Sequence, residues 1–280
     1  KVNRYIKSMT DIFGARRTVG NIGLVYSSQT ELFNLMPGGY LSGGQHTNIG
    51  EFDGWGTALE HLNVPYRAIP DFKLSAAELA DIEVLILPHV RVISSDLVND
   101  VLIPFADSGK TILVSGIDSG SVKPWSESFA DQASALLYDL VGAGKAKWIN
   151  GSPGADFYAV HLQPGIERTS KLNALGAIIE GLIADGKLAR QLEFYGFHEF
   201  VRTSLNYDEE ANRFFVDIRN QNYDVARDIL TAEDGGTLRI RLPESLHGKT
   251  VHVAFYDTDR TGSAQPLEHA AVDDPTIDVD

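Results

Sequence analysis

Two short apolar runs set the terms on which this chain can fold. Ile82-Glu-Val-Leu-Ile-Leu-Pro-His-Val-Arg-Val and, about twenty residues later, Thr111-Ile-Leu-Val-Ser-Gly-Ile-Asp-Ser-Gly are rich in β-branched residues, too short for helices, and end in Pro or Gly. A strand covered by helices on both faces needs no polar alternation, so buried parallel strands and their crossovers read in this way. The pair marks the centre of a doubly wound α/β domain. In such domains ligands and catalytic groups collect where strands end and helices begin, so the tips Pro88-His-Val and Ser115-Gly-Ile-Asp-Ser-Gly are where chemistry is expected.

The remaining elements can be placed around these two. Val2, Tyr5, Ile6, Met9, Ile12 and Phe13 form a helical stripe, read as a connecting helix over residues 1–18 that docks against something upstream. Asn21-Ile-Gly-Leu-Val-Tyr-Ser-Ser is a first parallel strand. From Phe33 to Gly56 a Gly-rich excursion reads as a long functional or interface loop, without the GxGxxG or GxxxxGK(S/T) spacing of a phosphate cradle. Trp55, Ala58, Leu59 and Leu62 then share one helical face, and Val64-Pro-Tyr-Arg-Ala-Ile-Pro is a second strand. Ser75 and Glu78 have capping-box spacing for a short helix, and Pro104 should bend the helix carrying Leu97, Val98, Val101, Leu102 and Phe105. A further helix carries Phe129, Ala133, Leu136, Leu137 and Leu140. Ala155-Asp-Phe-Tyr-Ala-Val-His-Leu-Gln-Pro-Gly reads as a strand with a sharp stop. The helix through Leu172, Leu175, Ile178, Ile179 and Leu182 ends at Asp185-Gly186, where Gly suits a left-handed cap.

Beyond about residue 190 the apolar period changes from helical to alternating. Phe200-Val-Arg-Thr-Ser-Leu, Arg213-Phe-Phe-Val-Asp-Ile-Arg-Asn, Thr237-Leu-Arg-Ile-Arg-Leu-Pro and Thr250-Val-His-Val-Ala-Phe-Tyr are short strands between Asn-, Asp- and Gly-rich turns. The expected organisation is an α/β domain over 19–190 and a small antiparallel β-sandwich over 191–280.

Composition narrows the function classes. With 24 basic against 38 acidic residues and a formal charge of −14, the chain repels a phosphate backbone, which argues against nucleic acid. No apolar stretch reaches the roughly 20 residues a membrane helix needs, so no membrane partner is expected. The absence of cysteine removes disulfides, thiolate metal sites and cysteine nucleophiles, and leaves the compartment open between cytoplasmic and secreted. His46, His61, His198, His247, His252 and His269 show no metal spacing, and no cofactor is expected. The opening on Lys1 within an amphipathic pattern, and the close on Asp-Pro-Thr-Ile-Asp-Val-Asp, read as a fragment of a longer protein.

The order of elements resembles a family. Val25-Tyr-Ser-Ser, Ala80-Asp-Ile-Glu-Val-Leu-Ile-Leu-Pro and Phe105-Ala-Asp-Ser-Gly-Lys-Thr-Ile-Leu-Val-Ser-Gly are similar to the flavodoxin-like, class I glutamine-amidotransferase-like domain that follows the catalytic barrel in trimeric bacterial β-galactosidases. Arg213-Phe-Phe-Val-Asp-Ile-Arg-Asn-Gln-Asn-Tyr-Asp, Leu238-Arg-Ile-Arg-Leu-Pro and Val251-His-Val-Ala-Phe-Tyr resemble the small β-sandwich found after it. The resemblance implies a homo-oligomer, commonly a trimer, an upstream catalytic barrel and a carbohydrate substrate. Active amidotransferases carry Gly-Ile-Cys at the elbow and Phe-His-Pro-Glu after a later strand. By resemblance these correspond to Gly116-Ile117-Asp118 and to Leu162-Gln163-Pro164-Gly165. Asp118, Gln163 and Gly165 would then be degenerate triad positions. A carboxylate there is a poor nucleophile without a base, and Gln exchanges no proton near neutral pH. The implied role is the non-catalytic C-terminal portion of a glycoside hydrolase, serving oligomerisation and shaping of the active site.

Sharper readings compete with plainer ones. Ser115, Ser119 and Ser121 crowd the elbow, and Ser119 with His89 and Asp118 would make a self-contained serine hydrolase. Yet Ser119 lies outside any GxSxG elbow, and Ser, Gly and Asp are what an ordinary strand-to-helix turn needs. Tyr40, Phe52 and Trp55 could touch a sugar or a neighbouring subunit and support a sugar-binding module, whereas the plain reading puts Trp55 in the core at the start of a helix. Glu51 and Asp53, on the same Gly-rich stretch, lack the fixed scaffold of an acid/base pair. His161 reads as a structural histidine within a strand. Tyr207, Tyr223 and Tyr256 read as cross-strand packing rather than a carbohydrate face.

Overall fold

The computed structural model describes residues 16–35, 48–116, 133–163, 165–195, 201–208, 213–220, 223–224, 229–230, 236–241, 253–256, 264–267 and 276–279. The chain divides into two compact units, Val19–Ala189 on one side and Lys1–Thr18 with Arg190–Asp280 on the other. The first strand, Arg16–Thr18 (β1), belongs to the second of these.

The α/β unit is built on Ile22–Tyr26 (β2), Tyr66–Pro70 (β3), Val84–Pro88 (β4), Thr111–Ser115 (β5) and Lys147–Trp148 (β6). They lie in the order β3-β2-β4-β5-β6 with every neighbouring pair parallel. Counted within the unit this is 2-1-3-4-5, the flavodoxin-like doubly wound order. Its helices are Ser28–Leu35 (α1), Asn48–His61 (α2), Ser95–Leu97 (α3), Ile103–Asp107 (α4), Ala133–Gly142 (α5), Pro153–Tyr158 (α6) and Ile166–Ala184 (α7).

Alternate residues of the central strands enter two separate cores, as a period of two requires. Val25, Leu85, Leu87, Ile112 and Val114 pack with Leu102, Phe105, Leu137 and Leu140. Ile22, Leu24, Val84, Ile86 and Leu113 pack with Trp55 and Leu59 of α2, Phe157 of α6, and Leu175, Ile179 and Leu182 of α7. Both faces of β4 and β5 are thus covered, which is why their sequences carry no polar alternation.

Several elements differ from the expectations above, each for a local reason. The Gly-rich excursion is helical at both its described ends, since α1 runs to Leu35 and α2 starts at Asn48, which places Glu51, Phe52 and Asp53 on a helix rather than a loop. Residues 155–163 are not a strand. Pro153 opens α6 from its first turn, where a missing N–H costs nothing, and the chain then turns into α7. His161 accordingly sits on a turn after α6, stacked on Tyr158 with ring centroids 4.6 Å apart. Ser75 does accept a hydrogen bond from the Glu78 N–H at 3.2 Å, but the segment is a turn. The bend expected at Pro104 takes the form of a π-helical turn, Val98–Leu102, immediately before it, where proline withholds the N–H that an α-turn would use. The cap at Gly186 is as expected, with φ +66° and Lys187 N–H donating to Leu182 O at 2.8 Å.

The second unit is antiparallel throughout its described pairs. Leu192–Tyr195 (β7), Thr237–Arg241 (β12) and Thr276–Val279 (β15) form one sheet in the order β15-β12-β7; β1, Val201–Asp208 (β8) and Arg213–Asn220 (β9) form another in that order. Two further pairs join Tyr223–Asp224 (β10) to Ile229–Leu230 (β11) and Val253–Tyr256 (β13) to Ala264–Leu267 (β14). Val201, Thr203 and Leu205 alternate inward along β8. Arg16 is fixed by Asp217, 3.0 Å away, and by the face of Phe215, 3.7 Å below its guanidinium carbon. Tyr207 stacks on Phe214, its direct partner across the strands, at 4.4 Å. The side chains of Tyr223 and Tyr256 lie outside the described residues, as does the stripe from Val2 to Phe13.

Candidate functional site at the carboxyl edge of the sheet

The strands β2, β4 and β5 deliver Ser27, His89 and Ser115 to the edge at which a fold of this order places its chemistry. Two left-handed residues follow adjacent strands: His89 at φ +48° and Gly116 at φ +92°. A side chain at Gly116 would meet His89 Cβ at 2.7 Å, so glycine is required there for both conformation and space. The His89 N–H donates to Ser115 O at 2.8 Å, and the Gly116 N–H to Gly151 O at 2.9 Å, tying the ends of β4 and β5 to the turn after β6.

Beside them lies a buried carboxyl whose importance the sequence does not reveal. Glu51, fully buried on α2, accepts hydrogen bonds from Ser115 Oγ at 2.7 Å, Trp55 Nε1 at 3.0 Å and Ala155 N at 2.7 Å. Trp55 Nε1 also lies 3.2 Å from Ser115 Oγ. One carboxyl therefore joins α2, the end of β5 and the first turn of α6. Burial pushes its pKa above the ordinary carboxylate value, against the lowering effect of the Ala155, Ser115, Gly154 and Trp55 donors. The backbones themselves touch here: a Cβ on Gly54 would fall 1.8 Å from Gly154 O, and one on Gly154 would fall 2.4 Å from Glu51 O. The signal in the sequence is the four-residue spacing of Glu51 and Trp55, which puts both on one helical face. It becomes legible only once residues 48–61 are known to be a helix.

A second buried carboxylate, just after β3, ties the end of that strand to the end of β2 and the start of α1. Asp71 accepts from Ser27 Oγ at 3.1 Å, Ser28 Oγ at 2.7 Å, Gln29 N at 3.1 Å and Phe72 N at 2.9 Å. Gln29 lies in the first turn of α1, whose orphan N–H groups favour an anion. Thr30 Oγ1 accepts from the Val92 N–H and can donate to Ser27 Oγ, 2.8 Å away.

The chemistry this edge can perform is correspondingly restricted. Ser115 has its hydroxyl directed at Glu51, and both are sealed from solvent, so a substrate carbonyl cannot reach the oxygen. His89 is buried against Gly116. Trp55 is fully enclosed in the core, leaving no face open to a sugar, and Phe52 packs edge-on against Tyr26 at 5.4 Å. Gln163 is exposed on the turn before α7 and Gly165 is the N-cap of that helix. Asp118, Ser119, Ser121, Tyr40 and Pro164 lie outside the described residues. Two further carboxyls sit above their ordinary values. Burial raises Glu31, opposed by hydrogen bonds from Asn48 and the Ile49 N–H; burial raises Asp53, opposed by the charge of His161. Among the described residues no group of three His, Asp or Glu side chains could hold a metal ion.

No protein-family model and no curated protein matches the sequence. Among solved structures the chain is similar to a catalytic mutant of Gan42B, a GH42 β-galactosidase from G. stearothermophilus, with a TM-score of 0.56 and 12% identity. The alignment covers 95% of this chain and 40% of that one. A β-galactosidase from the psychrophilic Marinomonas ef1 aligns over 50% of this chain and 21% of its own, with a TM-score of 0.36 and 15% identity. At these identities the likeness to Gan42B is one of fold, and this chain spans two-fifths of that enzyme's length.

Proposed function

We propose that this chain is the non-catalytic C-terminal portion of a carbohydrate-active enzyme, a glycoside hydrolase of the β-galactosidase kind. In this reading it serves self-association and the shaping of an active site built elsewhere. The observation that carries the reading is the likeness to Gan42B, which runs through 95% of this chain while accounting for only 40% of the enzyme. The interior of the α/β unit supports it. Ser115 is a sealed donor to Glu51, and the positions that the resemblance assigns to the later His and Glu carry Gln163 and Gly165. An amidotransferase needs a thiolate at the elbow and a base after the later strand, and the chain has no cysteine to supply the first.

The direct test is to assay the purified chain on a chromogenic β-galactoside and, separately, on glutamine. Neither should be turned over above the buffer rate. Saturable hydrolysis of either substrate by this chain alone would overturn the reading.

A further inference from the structure

The Glu51 cluster does more than fill space, because it is an ionisable group sealed inside a joint between three elements. Its hydrogen-bond partners are two neutral side chains and backbone N–H groups: Trp55 Nε1 on its own helix, Ser115 Oγ at the end of β5, and the Ala155 N–H on α6. The titratable groups on the packed elements are directed elsewhere or belong to other contacts. On α6, Asp156 pairs with Lys171 at 3.2 Å and Tyr158 stacks on His161. On α2, Asp53 is under the influence of His161, and His61 lies beside Arg168 Nη2 at 3.3 Å. His89, after β4, packs on Gly116, and Glu31 of α1 is hydrogen-bonded to the start of α2. β5 itself presents only the Ser115 hydroxyl.

We propose that Glu51 is a proton-operated clamp that seats α6 against the end of β5, holding it more firmly when the carboxyl is protonated than when it is ionised. The geometry accommodates both forms. In the ionised form Ser115 Oγ–H donates to Oε1, Trp55 Nε1–H donates to the same oxygen, and the Ala155 N–H donates to Oε2. On protonation at Oε1 the acid donates to Ser115 Oγ, whose own hydrogen turns away, while Oε1 still accepts from Trp55 and Oε2 from Ala155, so Glu51 keeps all three partners. What changes is the cost of an enclosed negative charge that meets no cation among the described residues. The contact between Gly54 and Gly154 leaves the joint no room for a side chain there, so relief on ionisation comes through loosening of α6. Gly116 N–H is bonded to Gly151 O at 2.9 Å, two residues before α6, so the clamp also sets how tightly the turn after β6 closes over the elbow.

The sign follows from the raised pKa. Stability contributed by the joint is complete below the ordinary Glu value of 4.5 and is lost as pH rises through the higher folded value. The test is hydrogen exchange of the Ala155 amide, corrected for the intrinsic pH dependence of exchange, in the wild-type chain and in Glu51→Gln, a permanently neutral form that can donate to Ser115. Protection in the wild type should fall from acid to neutral pH by about tenfold for each pH unit by which burial has lifted the pKa, while Glu51→Gln stays flat. The second measurement needs no variant: the ¹³C shift of Glu51 Cδ should titrate with a midpoint above the ordinary carboxylate value. A midpoint at or below that value, or parallel exchange profiles in the two proteins, would overturn the clamp.

Discussion

Trp55 shows how one residue type can point in two directions. A tryptophan in a Gly-rich stretch invites comparison with sugar-stacking aromatics, yet here it is fully buried between the sheet and α6, and its one polar atom is spent on Glu51 and Ser115. Trp55→Ala should therefore behave as a core deletion and cost about 3–5 kcal/mol in denaturant unfolding; an unchanged midpoint would contradict the packing described. Ser115 and His89 are legible as candidates because strand tips can be placed from sequence. Glu51 and Asp71 are not, because their roles depend on partners far along the chain: the Ala155 N–H for Glu51, and Ser27, Ser28 and Gln29 for Asp71. Residue type alone does not distinguish either from a surface acid.

Among the elements, the parallel strands are the most legible and α2 and α6 the least. β2, β4 and β5 announce themselves because burial on both faces selects uniform apolar runs. α2 contains Gly50, Gly54 and Gly56, each of which lowers helix propensity by about 1 kcal/mol relative to Ala. Tertiary contact explains two of the three, since Gly54 meets the backbone of Gly154 and a Cβ on Gly56 would fall 2.8 Å from the Tyr66 hydroxyl. α6 hides because Ala155-Asp-Phe-Tyr-Ala-Val alternates loosely, as a strand would, and its true start signal is Pro153, two residues earlier. The glycine argument gives a paired prediction. Gly54→Ala should destabilise by about 1–3 kcal/mol, because backbone cannot swing aside as a side chain can. Gly181→Ala, in the long α7 with open space around it, should stabilise by about 0.5–1 kcal/mol. Thermal melts of the two variants check both signs at once.

On the scale of the whole molecule, the division into an α/β unit and an antiparallel unit is written in the change of apolar period near residue 190, and four strands of the flavodoxin-like sheet, β2 to β5, coincide with strands expected from sequence, whereas the fifth, β6, is not among those expected. Within the first unit, two buried acids lie at the carboxyl edge of the sheet, Asp71 at the start of α1 and Glu51 at the end of β5. Their hydrogen bonds join helices to strand ends, which is a contribution to rigidity. No helix among the described residues is long and apolar enough to cross a membrane. The claim that follows from the proposed function is that this chain holds copies of itself together. Sedimentation equilibrium of the purified chain tests that claim most directly. A species of three times the 30.6 kDa chain mass is expected; a single species of 30.6 kDa across the concentration range would contradict the proposed self-association.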